Sequence, residues 1–358
     1  MKTQLFYKQK PVFGIDIGHG AIKVVQLERS PKGRITVGGY GYASYDPSAI
    51  DNQGVIIDTE TVAHTAYQLI EDHMIGSIFS NRAMATIPSA RTFTRILRLP
   101  DMLDSELEGA VRSEAEQYIP VALDELYLDY EVTKPSTKKG ADLEVFMVAS
   151  PAGVVDSYMK VFSALGLEVA AIEPSLSAVT RSVNQSKLVK KVALVIDFGS
   201  RSSDMSIIEG NTIHVTGTTK QGGDNLTEQL VKKLGITKRQ AFHGTARYGI
   251  KQTSKQGREI YTHARPILDN LVTEIKKLQR YYKRHNEKDD IEKIILLGGG
   301  ANLPGLDEFL SKQTSMDTVL FDPWHEIDSG SLQAPNTLET TLYATAVGSA
   351  LLGVGVAE

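Results

Sequence analysis

Two copies of one short pattern constrain this chain more than any other feature. Residues 12–18 read VFGIDIG and residues 193–199 read ALVIDFG. Each is an apolar run closed by Asp, one residue, then Gly: Asp16 and Gly18 in the first, Asp197 and Gly199 in the second. The apolar run predicts a buried strand, and the glycine permits a tight turn that no Cβ obstructs. Apolar residues resume after each turn, at Ile22, Val24, Val25 and Leu27 and at Met205, Ile207 and Ile208. Each copy therefore reads as a hairpin with a carboxylate at its mouth. Two such hairpins facing each other across a cleft place carboxylates where they can hold a hydrated Mg²⁺. Their turn amides can hold phosphate oxygens. Repetition of this kind makes a molecule of two similar halves the first expectation.

The length of 358 residues allows two or more domains and a large core. A net charge of −4 offers no basic field for nucleic acid, so a general nucleic-acid binder is not expected. The absence of cysteine excludes disulfides and thiol chemistry. The N-terminus MKTQLFYKQKPVFGIDIG lacks the apolar core and small-residue cleavage site of a signal peptide, and no apolar run reaches the length of a membrane span. The Gly- and Ala-rich segment 341–357 reads as a buried helix, not a surface anchor.

Between the two hairpins, 59–75 has helical spacing and 83–87 reads as a strand. Thr92–Leu99 alternates like a strand. Asp104–Ile119 is an amphipathic helix with Ser105 and Glu108 as a capping box and Pro120 at its end. Strands at 126–132 and 143–149 flank a solvated turn, KPSTKKGA, and a second helix at 154–165, capped by Gly166, precedes a strand at 167–172. This β-α-β-β-α-β order is expected to close as a small α+β module inserted in the first half. The expected division is 1–85, 169–191 and 331–358 for the first domain, 86–168 for the module, and 192–330 for the second domain, with a subdomain at about 236–290. A long helix at 265–285 carries a core stripe, and Trp324 reads as a packing residue.

Four segments carry the candidate chemistry. GIDIGHGAIK (14–23) offers Asp16 near a metal, the amides of Gly18, His19 and Gly20 for phosphate, and Lys23 as a phosphate cation; the plainer alternative is a hairpin with a glycine turn. DFGSRSSD (197–204) offers Asp197, Gly199 and Ser200 in the same way. Gly222-Gly223-Asp224 opens a helix whose first amides are expected to point outward toward phosphate or ribose, unless Asp224 is simply its N-cap. In LGGGANLPGL (297–306), Gly298, Gly299, Gly300 and Asn302 end a strand on side-chain-free backbone against which a purine or phosphate can lie. No HExxH, GxSxG or Walker P-loop signature is present.

In this order the four segments resemble the phosphate and adenosine motifs of the actin-like ATPase superfamily, which includes actin, the large heat-shock chaperones, sugar kinases and bacterial FtsA. The resemblance implies a two-domain actin-like (ribonuclease H-like) α/β fold that binds ATP and Mg²⁺, with Asp16 and Asp197 at the metal. It also makes AIEPSLSAVTRS (171–182) the first connecting segment, with Glu173 near the attacking water, and puts Ala344–Gly348 in the second connecting helix. The inserted module narrows the resemblance. Its RLP, DSELEGAVRSEAEQYIP, LDYEV, EVFMVASP and YMKVFSALGLEVAAIEPSLSAVTRS run is similar to the PilM family of type IV pilus assembly. That implies an adaptor under the inner membrane, at most a slow ATPase, which binds the N-terminal peptide of a PilN-like membrane protein. Pilus motor ATPases and further copies of the chain are the other partners it suggests; direct membrane insertion is not expected. Relatives usually have Ser-Ser where this chain has His19-Gly20. They also carry Glu and Lys where it has Phe242 and Thr245, so ribose and base contacts are expected to differ. An FtsA-like division protein and a sugar-kinase-like phosphotransferase are the alternatives, disfavoured by the missing amphipathic anchor and by the small size of the module.

Overall fold

The computed structural model describes residues 11–30, 33–134, 142–285 and 290–355. Strand β1 (Phe13–Gly18) turns through His19-Gly20 into β2 (Ala21–Arg29), and β3 (Ile35–Ser44) continues the meander. Gly20 sits at φ +93°, a backbone state that side chains resist. Helix α1 (Thr59–Asp72) is capped by Asp58, whose carboxylate accepts from the Thr61 amide at 3.0 Å. The short β4 (Ile75–Gly76) edges the sheet, and β5 (Arg82–Ile87) runs parallel to β1.

The chain then leaves this sheet. Strand β6 (Phe93–Leu99), helix α2 (Asp104–Tyr118), β7 (Leu126–Lys134) and β8 (Leu143–Pro151) form a three-stranded antiparallel sheet ordered β6-β8-β7. Helix α2 packs Leu107, Val111 and Ala115 on the Val145, Met147 and Ala149 face of that sheet. Residues 135–141 of the expected turn lie outside the described residues. Helix α3 (Ala152–Ala164) and β9 (Glu168–Pro174) return to the first sheet. This corrects the expected β-α-β-β-α-β closure: Tyr158 and Phe162 of α3 pack with Phe13, Ile15 and Leu69, and β9 pairs parallel with β5. The capping box also shifts. Leu103 is the N-cap of α2, and its amide donates to Glu106 rather than the box forming from Ser105 and Glu108.

Helix α4 (Ser175–Gln185) leads into the second half, where β10 (Val192–Phe198), β11 (Ser203–Glu209) and β12 (Thr212–Thr219) form a meander like the first. Helices α5 (Gly223–Leu234), α6 (Lys238–Tyr248) and α7 (Lys255–His285) follow, then β13 (Ile291–Leu297), α8 (Leu306–Thr314) and β14 (Asp317–Leu320). Helix α7 starts ten residues before the expected 265 and contains Pro266. Burial of Ile260 and Ala264 beside Ile267 and Leu271 offsets the backbone bond that the proline removes. The sheets repeat one topology: β3-β2-β1-β5-β9 in the first matches β12-β11-β10-β13-β14 in the second. Trp324 packs against Tyr40 and Tyr343 as expected, with ring centroids 5.4 Å from each.

Helix α9 (Ala344–Gly353) closes the fold, buried along nearly its whole length. It lies against β1 at Gly14, where a Cβ would overlap the Ala346 carbonyl, and crosses α4 at Gly348, where a Cβ would overlap the Ala178 carbonyl. Backbone against backbone leaves no room for relaxation at that crossing. We expect Gly348→Ala to lower stability by on the order of 2–4 kcal/mol in a denaturant melt. Gly109→Ala, on open α2 surface with no neighbour within 4 Å, should leave stability unchanged or slightly raised.

Candidate functional site

Strand register builds the site. Across the first sheet Tyr42, Lys23, Asp16, Thr86 and Glu173 are successive partners, so they share one face. Lys23 Nζ donates to Asp16 Oδ2 at 3.0 Å, and Thr86 Oγ1 donates to Asp16 Oδ1 at 3.1 Å. Across the second sheet the row is Thr218, Asp204, Asp197 and Leu297. Thr218 Oγ1 donates to Asp204 at 2.6 Å. Thr86 and Asp204 were not singled out from sequence. Thr86 hides in an apolar strand, and Asp204 becomes a neighbour of Asp197 only through the β10–β11 register.

The two rows meet electrostatically. Burial, then the Asp204 and Asp16 charges, push the Asp197 carboxyl up to about 7, and Lys23 opposes them. Burial also pushes Asp204 up to about 6, against the Thr218 hydrogen bond and Arg91. Burial alone would lower the Lys23 ammonium, but Asp16 and Asp197 outweigh it and hold the group above its ordinary value. The Lys23 ammonium thus faces Asp16 and Asp197, with Asp204 next to Asp197 in its row, in a largely buried space, an arrangement that favours either protonation or a second positive charge. Among the described residues no three His, Cys, Asp or Glu side chains are grouped to hold a metal ion. A cation between Asp16 and Asp197 would therefore rely on water and ligand oxygens, which suits Mg²⁺.

The tips of the two turns touch. Ser200 Oγ donates to the His19 carbonyl at 3.1 Å, and Arg201 Nη1 donates to Asn52 Oδ1 at 3.0 Å. Tyr45 and Tyr158 donate to the Gly18 and Ile17 carbonyls and brace the first turn. Burial, then Arg201, lower the His19 imidazole to about 4, so it is neutral near pH 7. Its Nε2 is buried without a partner, as is Gln221 Oε1 beside the second turn. Two orphaned polar atoms and two turns with Gly18, Gly20 and Gly199 suit a phosphate-bearing ligand.

Other expected contacts are already taken. The Gly223 and Asp224 amides donate to the Gly199 and Ser200 carbonyls at 3.0 and 2.8 Å, and the Gly222 amide donates to Asn225 Oδ1 at 2.8 Å. The first amides of α5 therefore do not point outward free, and Gly222, not Asp224, is the N-cap. A Cβ on Gly222 would lie 2.5 Å from both carbonyls, so this glycine seats the helix on the second turn. Gly298, at φ +89°, lets β13 end against the Asp197 carboxylate, and Gly300 lies against the Phe198 ring. Gly299 is exposed. Asn302 Nδ2 donates to the Leu338 carbonyl and to Thr341 Oγ1. Intramolecular packing thus accounts for most of the motif that reads from sequence as a purine bed. Phe242 is exposed and Thr245 Oγ1 donates within its own helix.

Glu173 stands in the Asp16 row, but both its oxygens accept from Arg181 at 2.8 Å, and Arg181 also donates to the Gly348 carbonyl at 2.9 Å. The carboxylate is a strut joining β9, α4 and α9, with one acceptor site of each oxygen taken by Arg181. Arg181 was visible in AIEPSLSAVTRS but nothing local marked it as the partner.

The electrostatics carry a pH prediction. Asp197 has its ordinary value of 3.8 in the unfolded chain and about 7 in the fold. The folded state therefore binds more protons between those values, and stability falls as pH rises through that window. Asp197→Asn should raise the stability of the nucleotide-free protein by on the order of 1–3 kcal/mol at pH 8, with the gain shrinking toward pH 4. His19 acts in the opposite sense between about 4 and 6.5, so His19→Ser should lessen the loss of stability on acidification. Melts of the three proteins from pH 4 to 8 check both signs.

Solved structures share this architecture. The PilM-PilN type IV pilus biogenesis complex has a chain that superposes with a TM-score of 0.83 over 97% of this chain and 99% of its own, at 22% identity. The ethanolamine utilization protein EutJ from Carboxydothermus hydrogenoformans gives 0.55 at 16% identity, covering 96% and 91%. MreB5 of Spiroplasma citri, solved with AMPPNP, gives 0.51 at 12%, covering 97% and 96%. At these identities the likeness establishes the actin-like fold. In sequence, the cell division protein FtsA of Streptococcus pneumoniae is 22% identical over 349 residues, covering 87% of this chain and 75% of FtsA. The family described as type IV pilus assembly protein PilM matches residues 14–354, nearly the whole chain. The chain belongs to the PilM family of type IV pilus assembly proteins.

Proposed function

We propose that this chain is a nucleotide-dependent adaptor of type IV pilus assembly. It binds Mg·ATP between its two Asp-x-Gly turns and engages the N-terminal peptide of a PilN-like inner-membrane protein. The observation that carries the reading is the meeting of the Asp16–Lys23 pair with Asp197 beneath two touching turn tips. In this reading Asp16 and Asp197 hold the hydrated Mg²⁺, and Lys23 and the amides of Gly18, His19, Gly20, Gly199 and Ser200 hold phosphate oxygens. Gln221 Oε1 and His19 Nε2 are the orphaned atoms that such a ligand would satisfy. When bound, the metal supplies positive charge to the phosphates and so relieves the repulsion among Asp16, Asp197 and Asp204. Entry of phosphate between the tips breaks the Ser200–His19 contact, which gives nucleotide a mechanical effect on the two halves. With both Glu173 oxygens held by Arg181, the reading assigns the chain binding and slow turnover rather than fast hydrolysis.

The proposed place for the peptide is the junction between the three-stranded sheet and the first sheet, which Tyr127 on β7 and Asp156 on α3 bridge with a 3.0 Å hydrogen bond. The module in this reading is the three-stranded sheet with α2, bounded by the expected cuts at 86 and 168 less helix α3. Among the described residues no helix is long and apolar enough to cross a membrane. The proposed position at the inner face of the membrane then depends on the PilN-like partner. Titration of a PilN-type N-terminal peptide by calorimetry, with and without Mg·ATP, tests the proposal. Detectable peptide binding is expected, with an affinity that changes about fivefold or more with nucleotide and an equal effect of peptide on nucleotide. No heat with peptide contradicts the adaptor reading; no heat with Mg·ATP contradicts the cleft assignment.

A further inference from the structure

Two arginines from different halves converge on one residue beside the turn tips. Arg201 follows Ser200 on the second turn and is exposed. Its Nη1 donates to Asn52 Oδ1 at 3.0 Å, across the two halves. Arg91, which follows β5 in the first half, donates through Nη2 to the Asn52 carbonyl. Among the described residues no Asp or Glu forms an ion pair with either arginine. The loop that carries Asn52 is pinned on its own account. Asp51 Oδ1 accepts from the Gln53 and Val55 amides at 2.7 and 3.0 Å. Gly54 turns at φ +81°, where a Cβ would lie 2.8 Å from Arg91 Cγ. Asn52 is therefore presented in one place, held by its own half through its carbonyl and by the other half through its side chain.

An amide oxygen is a weak match for a guanidinium. It carries no net charge, whereas a phosphate takes two parallel N–H donors in bonds about twice as strong. The field of Arg201 already reaches the ligand space: burial and then Arg201 keep the His19 imidazole neutral near pH 7, and Arg201 opposes the rise that burial imposes on the Asp224 carboxyl. Its position along the second sheet identifies the phosphate it meets. Strand β10 has β11 on one side and β13 on the other. The glycines that close β13 lie on one flank, with Gly299 exposed. Arg201 stands in the β10–β11 turn, and Arg91, on the same Asn52, reaches Asp204 of β11 with its charge. A nucleotide with its base toward Gly299 crosses the β10 turn with its phosphates and ends beside Arg201.

We propose that Arg201 reads the terminal phosphate: it leaves Asn52 and binds the γ-phosphate oxygens, so that the cleft distinguishes a nucleoside triphosphate from a diphosphate. This rests on the cleft reading above and adds the phosphate that is read and the residue that reads it. Asn52 is the resting partner, and Arg91 holds its loop in place when Arg201 departs. The Arg201–Asn52 bond joins the two halves, so its loss is felt by both. With a diphosphate the bond is kept, and with a triphosphate it is exchanged for the stronger, charge-assisted one. The exchange makes the contact between the halves depend on which nucleotide is bound.

Calorimetry on the full chain compares Mg·AMPPNP with Mg·ADP. The wild type should bind the triphosphate analogue about tenfold or more tighter than the diphosphate. Arg201→Gln should weaken AMPPNP binding by about tenfold and leave ADP within about twofold, so that the preference disappears. Arg201→Lys, a point charge without the planar fork, should restore part of it. Asn52→Ala removes only the competing partner, so AMPPNP should bind as tightly as to the wild type or tighter, with ADP unchanged. Melting curves confirm that the variants remain folded. The inference is overturned, with the cleft reading intact, if the wild type binds the two nucleotides within about twofold of each other, or if Arg201→Gln weakens both equally or neither. It is also overturned if Asn52→Ala abolishes the preference, which makes the loop the reader instead of the arginine. Failure of the wild type to bind either nucleotide overturns the cleft reading itself, and this inference with it.

Discussion

The buried ammonium of Lys23 is the charge on which the closed arrangement of the two halves depends. It bonds Asp16 directly and lowers the cost of keeping Asp197 in the same water-poor space. Removing charges from water is expensive, and one ammonium shared by Asp16 and Asp197, with the Thr218 hydroxyl and Arg91 for Asp204, leaves the set incompletely compensated. The remaining imbalance appears as the upward shifts of Asp197 and Asp204. A protein that needed only stability would gain from apolar groups here. Retaining the imbalance makes the space responsive to any ligand that brings positive charge, and a metal–phosphate complex brings it together with acceptors for the turn amides.

The remainder of the fold delivers that charge set to one place. Repetition of one sheet topology puts Asp16 and Asp197 at equivalent strand ends, and pairing registers add Lys23 and Thr86 on one side and Asp204 and Thr218 on the other. Glycines allow the required closeness. Gly222 seats α5 on the second turn, and Gly298 ends β13 against Asp197. The two halves are coupled away from the turns as well. Thr94 of β6 meets Thr216 of β12 at 3.1 Å, while the Glu173–Arg181 strut ties β9, α4 and α9 together within the first half. A change in the cleft therefore has physical routes to the three-stranded sheet, where the partner peptide is proposed to bind.

Much of this was legible in the sequence because it is local. The paired Asp-x-Gly strands, the helix expected at 104–119 and the cap at Gly166 are patterns of adjacent residues, and all are present. What was hidden depends on pairing between distant segments. Thr86 meets Asp16 only once β5 lies beside β1, and Arg181 takes both oxygens of Glu173 only once α4 folds back on β9. Periodicity identified a helix at 154–165, observed at 152–164, but carries no information about which sheet it covers, so α3 was placed with the wrong one. The glycines of 297–306 signalled close approach, and the approaching groups include Asp197 and Phe198 of the chain itself. The stripe that marks the helix at 265–285 continues through Ile260 and Ala264, and burial of those turns carries the helix past Pro266.

The central claim is that the two turns act together as one ligand site. Hydrogen exchange of segments 14–24 and 197–204, with and without Mg·ATP, tests it most directly. The account predicts that both segments slow together when Mg·ATP is added, and that Asp16→Ala removes the protection from both. Protection confined to one turn, or exchange in both turns indifferent to Mg·ATP, would contradict it.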